Sequence, residues 1–165
     1  MTKRLRQNER KENPSTLRRV GRYGPLLLWI AFISFASTGE FSSDNSSRFV
    51  RPLLLWLFPG ISEGQLAGVH FLTRKLSHLA EYAVLAFLAR RAFVLSSNEF
   101  IQRRWFQLSL TLVVLCSLLD EFQQSYSPTR SASLLDCGID VIGGLTVLLI
   151  FRAYGRRSGR RMRAA

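Results

Sequence analysis

A chain of 165 residues is long enough for one domain and too short for two comfortable ones. Hydrophobic residues make up 47% of it, yet the formal net charge is +12, a combination that in a soluble protein points to nucleic acid. The distribution of the basic residues excludes that reading: most lie in three blocks separating apolar runs, so the charge reports orientation across a membrane and no nucleic-acid partner is expected.

The blocks are Lys3 to Arg22, then Arg90, Arg91, Arg103 and Arg104, then Arg152 to Arg163. Four apolar segments crossing in alternation place all three on one side, which the positive-inside rule makes the cytoplasm. The expected fold is therefore all-α: a polytopic bundle of about four transmembrane helices plus a short interfacial or re-entrant segment. It is expected in the cell (cytoplasmic) membrane, with both termini cytoplasmic.

In chain order, residues 1–22 read as a basic cytoplasmic arm, polar enough to stay disordered. Tyr23 to Thr38 is the first apolar run, slightly short for a span of about 20 residues. The basic stretch before it and Ser34-Phe35-Ala36 near its end also fit a cleavable signal peptide. Glu40 to Gly68 reads as an outer loop, in which Phe49 to Phe58 is apolar but about half the length of a crossing; it suits an interfacial or re-entrant helix with Trp56 at headgroup level. Leu76 to Leu95 is the second span, Trp105 to Tyr126 the third and Leu134 to Phe151 the fourth, the last two joined outside by a loop containing Pro128. The transmembrane domain covers 23–154 and a basic cytoplasmic tail 155–165. Cys116 and Cys137 fall inside spans without metal or redox spacing and read as packing residues. Neither a Gly-rich phosphate loop nor an HExxH or GxSxG motif is present.

Acids stand where apolar runs end. At a rise of about 1.5 Å per residue, Glu81, Asp120 and Asp140 come to a similar depth, roughly 7 to 10 Å below the outer surface. A charge in a span costs about 2.5 to 3.5 kcal/mol at the centre, whereas a leucine returns only about 0.5 kcal/mol, so these groups should face inward and satisfy one another. Lys75, His78 and Tyr82 are spaced i, i+3, i+7 on one helical stripe, and Asp136, Asp140 and Gly143 i, i+4, i+7 on another, with a glycine that admits a neighbouring backbone. Two readings compete: a polar lock between short helices, and an outward-opening pocket for something in the outer leaflet. In the second, His78, Asp120 and Glu121 are the candidate catalytic groups, the crowded carboxylates serving as acid or base. Lys75, Tyr82, Gln124, Arg130, Ser133, Asp136 and Asp140 would bind, Arg130 being best shaped to hold phosphate or carboxylate. A lone histidine among scattered acids is a weak metal signal, and neither a metal nor another cofactor is expected.

At Lys75-x-x-His78 with Tyr82 and Leu85, Asp120-Glu121-x-x-Gln124, Pro128-x-Arg130, Ser133, Asp136 and Gly143, the chain resembles the VanZ-like family of small membrane proteins. Order and spacing agree across all the pieces, and similar hydropathy extends the likeness over about residues 24 to 152. Thr129 stands where the family usually has glycine, and Asp140 where asparagine is common. The family takes its name from an accessory determinant of resistance to the glycopeptide teicoplanin. The resemblance thus implies a role at the cell envelope without supplying a reaction. Membrane lipids are the expected partners, with a lipid-linked cell-wall precursor or glycopeptide as the ligand. A membrane-embedded hydrolase or transferase is the alternative, and a small transporter or channel subunit, which would need oligomers, is a third.

Overall fold

The computed structural model describes residues 14–37, 51–126 and 133–164, and among them every regular element is a helix. Helix α1 is Pro14–Ala36, α2 Glu63–Val94, α3 Glu99–Arg103, α4 Trp105–Gln124 and α5 Leu134–Ala164; residues 51–57 are also helical. Three boundaries correct the sequence reading. Residues 14–22 form the first turns of α1 where a disordered arm is expected: Pro14 suits a first helical turn, and Leu17, Arg18, Arg19 and Arg22 carry the helix into the apolar run. Residues 63–68, placed in an outer loop, are the first turns of α2. Ser62 starts it by a capping box: its hydroxyl accepts from the Gln65 N–H at 3.3 Å and the Gln65 side chain accepts from the Ser62 N–H at 2.9 Å. The resulting 32-residue helix is roughly 48 Å long, more than a bilayer core requires. The short α3, capped by Asn98 accepting from the Phe100 N–H at 2.9 Å, has no counterpart in the sequence reading.

By length and composition two segments among the described residues can cross a membrane, Trp105–Gln124 and Leu134–Gly155. The first and second expected spans do not reach that level. Arginines occupy the first turns of α1, and α2 carries Glu63, Arg74, Lys75, Glu81, Arg90 and Arg91.

Helix α2 is the centre of the packing, against α5 above all, then α4 and α1. Small residues make that possible. Ala86, Ala89 and Ala92 are fully buried on one stripe of α2, and Gly143 of α5 lies directly against the Leu79 carbonyl of α2; a Cβ there would stand 3.2 Å from Leu79 Cα and closer still to its oxygen. Gly144 is similarly close, its Cβ position 2.8 Å from Val113 Cγ1. The expected close backbone approach at Gly143 is therefore present.

The bundle is apolar outside and mixed inside. Leu28, Trp56, Phe71, Leu119, Phe122, Leu134 and Ile142 are among many large exposed hydrophobics, while as many polar or charged residues as apolar ones are buried. A water-soluble core has the opposite bias. Pro25 lies inside α1 and cannot donate to the carbonyl one turn back, at Gly21. Arg91 of α2 supplies the missing donor to that oxygen at 3.2 Å.

Candidate functional site

One stripe of α4 carries Ser109, Val113, Ser117, Asp120, Glu121 and Gln124, all buried. It faces Lys75, His78 and Tyr82 of α2 and Asp136 and Asp140 of α5. The polar groups converge at one end, where α4 finishes, α5 begins and α1 ends at Ser37.

His78 is the hub. Its Nδ1 lies 3.3 Å from Asp140 Oδ1 and 4.0 Å from Asp120 Oδ2. The carboxylates are anchored from behind: Ser117 donates to Asp140 Oδ2 at 2.9 Å, Gln124 Nε2 donates to Asp120 Oδ2 at 3.0 Å, and the Ser37 hydroxyl donates to Asp120 Oδ1. His78 is 9% exposed, Asp120 4% and Asp140 0%, so their orientations are fixed by one another and not by water.

A second pair sits beside the hub. Lys75 forms an ion pair with Asp136 Oδ1, and Arg74 Nη2 lies 3.8 Å from Asp136 Oδ2 and donates to Gln124 Oε1 at 3.4 Å. Gln124 thereby couples the two clusters. Glu121 turns toward the start of α5, accepting from the Ser133 N–H at 2.6 Å, while the Ser133 hydroxyl accepts from the Leu135 N–H at 3.2 Å. Glu121 and Ser133 thus join α4 to the first turn of α5. Tyr82 is fully buried, and its hydroxyl has no hydrogen-bond partner among the described residues.

Of the residues singled out from sequence, Lys75, His78, Tyr82, Asp120, Glu121, Gln124, Ser133, Asp136 and Asp140 are gathered at this end. Arg130, with Pro128 and Thr129, lies outside the described residues. Glu81, expected level with Asp120 and Asp140, is only half-buried, and its backbone carbonyl accepts from Trp29 Nε1 at 3.0 Å; α2 offers His78 to the acids instead. Sequence reasoning missed Ser37, Arg74 and Ser117. Ser117 had a readable signal, since Ser109, Val113, Ser117, Asp120 and Gln124 repeat at helical spacing in an otherwise apolar helix. Ser37 had none, because its partner is 83 positions away.

The other end of the bundle is basic and aromatic. The Arg90 guanidinium stacks over Phe151 at 4.0 Å and faces Trp105 at 5.6 Å, and Arg152 lies over Phe106 at 4.7 Å. Arg22 donates to Ser97 and Tyr23 to Ser96 beside them. His78 and Arg90 are twelve residues apart on α2, about 18 Å at the helical rise.

No curated protein and no solved structure matches this sequence. The family model described as VanZ/LLP1 matches residues 23–155, a span that includes every gathered polar residue and both apolar helices. The chain therefore belongs to the VanZ/LLP1 family, and with its two apolar helices it is a membrane protein.

Proposed function

We propose that this is a four-span protein of the cell envelope, with both termini cytoplasmic, whose polar end opens outward and binds or modifies an envelope lipid or cell-wall precursor. The observation that carries the reading is the constellation of buried His78, Asp120, Asp140 and Asp136 with partly buried Lys75, drawn from three helices and concentrated at one end. Ionisable groups are expensive inside an apolar bundle and are functional candidates by default. Lateral cohesion alone would not require so many at one level, since a polar pair between membrane helices contributes only about 0.6 kcal/mol on average. The basic, aromatic end supports the orientation, because arginines stacked on rings suit the cytoplasmic interface. In this reading Lys75, together with Arg130 from the stretch of sequence between α4 and α5, attracts an anionic headgroup or pyrophosphate-like ligand. A link to glycopeptide tolerance would follow from altered access to the precursor.

A second reading, a membrane-embedded hydrolase or transferase, is favoured by one specific contact: an imidazole nitrogen poised between two buried carboxylates, as a general base and its orienting acids would be. Here His78 takes a proton, Asp120 and Asp140 hold the ring, and Glu121 holds the start of α5 at Ser133.

The test is a deletion strain complemented with wild-type protein, His78→Gln or Asp120→Asn, each checked for equal accumulation in membranes. Mass spectrometry of envelope lipids and lipid-linked precursors, with teicoplanin susceptibility alongside, should show a change on deletion that only wild-type protein reverses. An unchanged profile on deletion, or full reversal by both variants, would overturn the proposal.

A further inference from the structure

We propose that His78, Asp120 and Asp140 form a binding site for a divalent transition-metal cation. The inference is independent of the envelope-ligand reading, because it concerns what the three side chains hold before any lipid arrives.

The ligand atoms of the three residues lie within 4.8 Å of one another, and all three residues are at least nine-tenths buried. Ligands bound at about 2.0 to 2.2 Å stand roughly 3.4 Å apart in a tetrahedral site and about 4.2 Å apart across an octahedral one. The observed separations from His78 Nδ1, 3.3 Å and 4.0 Å, fall in that range. Small side-chain rotations would close the set around an ion.

Two atoms at the centre lack the bonds that burial demands. His78 Nδ1 and Asp140 Oδ1 approach each other as an ion pair at 3.3 Å, with Asp120 Oδ2 4.0 Å from the same nitrogen, and neither Nδ1 nor Oδ1 makes a well-aligned hydrogen bond among the described residues. Unmet buried polar atoms are costly, and here both point at the same space. The outer oxygens are not free in this way: Ser117 holds Asp140 Oδ2, and Ser37 holds Asp120 Oδ1. Asp140 is thus oriented as a ligating carboxylate is by a supporting shell, with one oxygen restrained and the other presented, while Asp120 Oδ2 accepts from Gln124 Nε2 at 3.0 Å and offers its second lone pair.

Charge points the same way. Two carboxylates share this interior, while Lys75 and Arg74 are engaged by Asp136. A divalent cation balances both carboxylates and leaves His78 as a neutral ligand. One imidazole with two carboxylates suits Zn²⁺, Mn²⁺ or Fe²⁺, whereas Mg²⁺ and Ca²⁺ favour oxygen alone. Three protein ligands leave positions open to solvent or to an oxygen anion, and Asp120 also lines a cavity of about 50 Å³ between α1 and α4, large enough for water, which neither His78 nor Asp140 lines.

The experiment uses the full chain, purified in detergent with a tag that contains no histidine, stripped with chelator and titrated with Zn²⁺ and with Co²⁺. Elemental analysis after desalting should give about one ion per chain, and the Co²⁺ spectrum should show nitrogen and oxygen coordination without thiolate charge transfer. Asp140→Asn and His78→Gln should each weaken binding at least tenfold. Ser117→Ala, which keeps all three ligands, should weaken it less. If the ligand variants do not fold, wild-type stoichiometry and spectrum with the Ser117→Ala shift decide the matter. Failure to retain either ion, a thiolate band placing it on Cys116 or Cys137, or wild-type affinity in folded Asp140→Asn and His78→Gln would overturn the site. Each of these results is read without any lipid, so it stands apart from the deletion-strain test.

Discussion

The two ends of this bundle both concentrate charge and do so by different physics. At the end holding His78, acids and bases pack against one another, and three helices contribute together with Ser37 just past the end of α1. At the end holding Arg90, most charged groups are arginines whose planar heads lie on aromatic rings or reach a carbonyl, with the remaining surface open. The first arrangement depends on every member, because a buried charge without its partner cannot be hydrated. The second tolerates loss, because lipid headgroups or water can replace a surface arginine. Charge at the first end is thus specific in position, and at the second specific mainly in sign.

Mutations should expose that contrast. Asp136→Ala removes the buried carboxylate that partly buried Lys75 and Arg74 share and should cost about 2 to 3 kcal/mol, read as a large fall in the thermal midpoint of detergent-solubilised protein. Gly143→Ala places a methyl against the backbone of Leu79, which cannot rotate away, and should cost about 1 to 3 kcal/mol by the same measurement. At the opposite end Arg91→Ala removes the donor that serves the Gly21 carbonyl beneath Pro25 and should cost about 0.5 to 1 kcal/mol, since the oxygen is near solvent. Glu99→Ala breaks only the exposed pair with Arg103 at 3.3 Å and should change stability by less than about 0.5 kcal/mol. A midpoint loss in Arg91→Ala as large as in Asp136→Ala would erase the distinction between the ends.

Much of this was readable in the chain. The stripe Lys75, His78, Tyr82 and the face Asp136, Asp140, Gly143 follow from helical spacing, and the cost of charge among apolar residues makes them turn inward. The third and fourth apolar runs begin at Trp105 and Leu134, where helices α4 and α5 also begin. What spacing could not supply is pairing between helices. Helical rise put Glu81 level with Asp120 and Asp140, but the rotation of α2 at which Gly143 meets Leu79 turns His78 to those acids and leaves Glu81 half-buried. Ser37 escaped notice because a serine at the end of an apolar run carries no mark of its distant carboxylate. The early starts of α1 and α2 were hidden by sequence that hydropathy reads as loop, although α1 opens on Pro14, which suits a first turn, and α2 on a capping box at Ser62.

The central claim is that the two ends lie on opposite sides of the membrane, and thiol accessibility tests it most directly. In a background with Cys116 and Cys137 replaced by alanine, Ser125→Cys marks the acidic end and Asn98→Cys the basic end, both exposed positions. A membrane-impermeant maleimide added to intact cells should label Ser125→Cys at once and Asn98→Cys only after permeabilisation. The reverse pattern, or labelling of both from one side, would contradict the account.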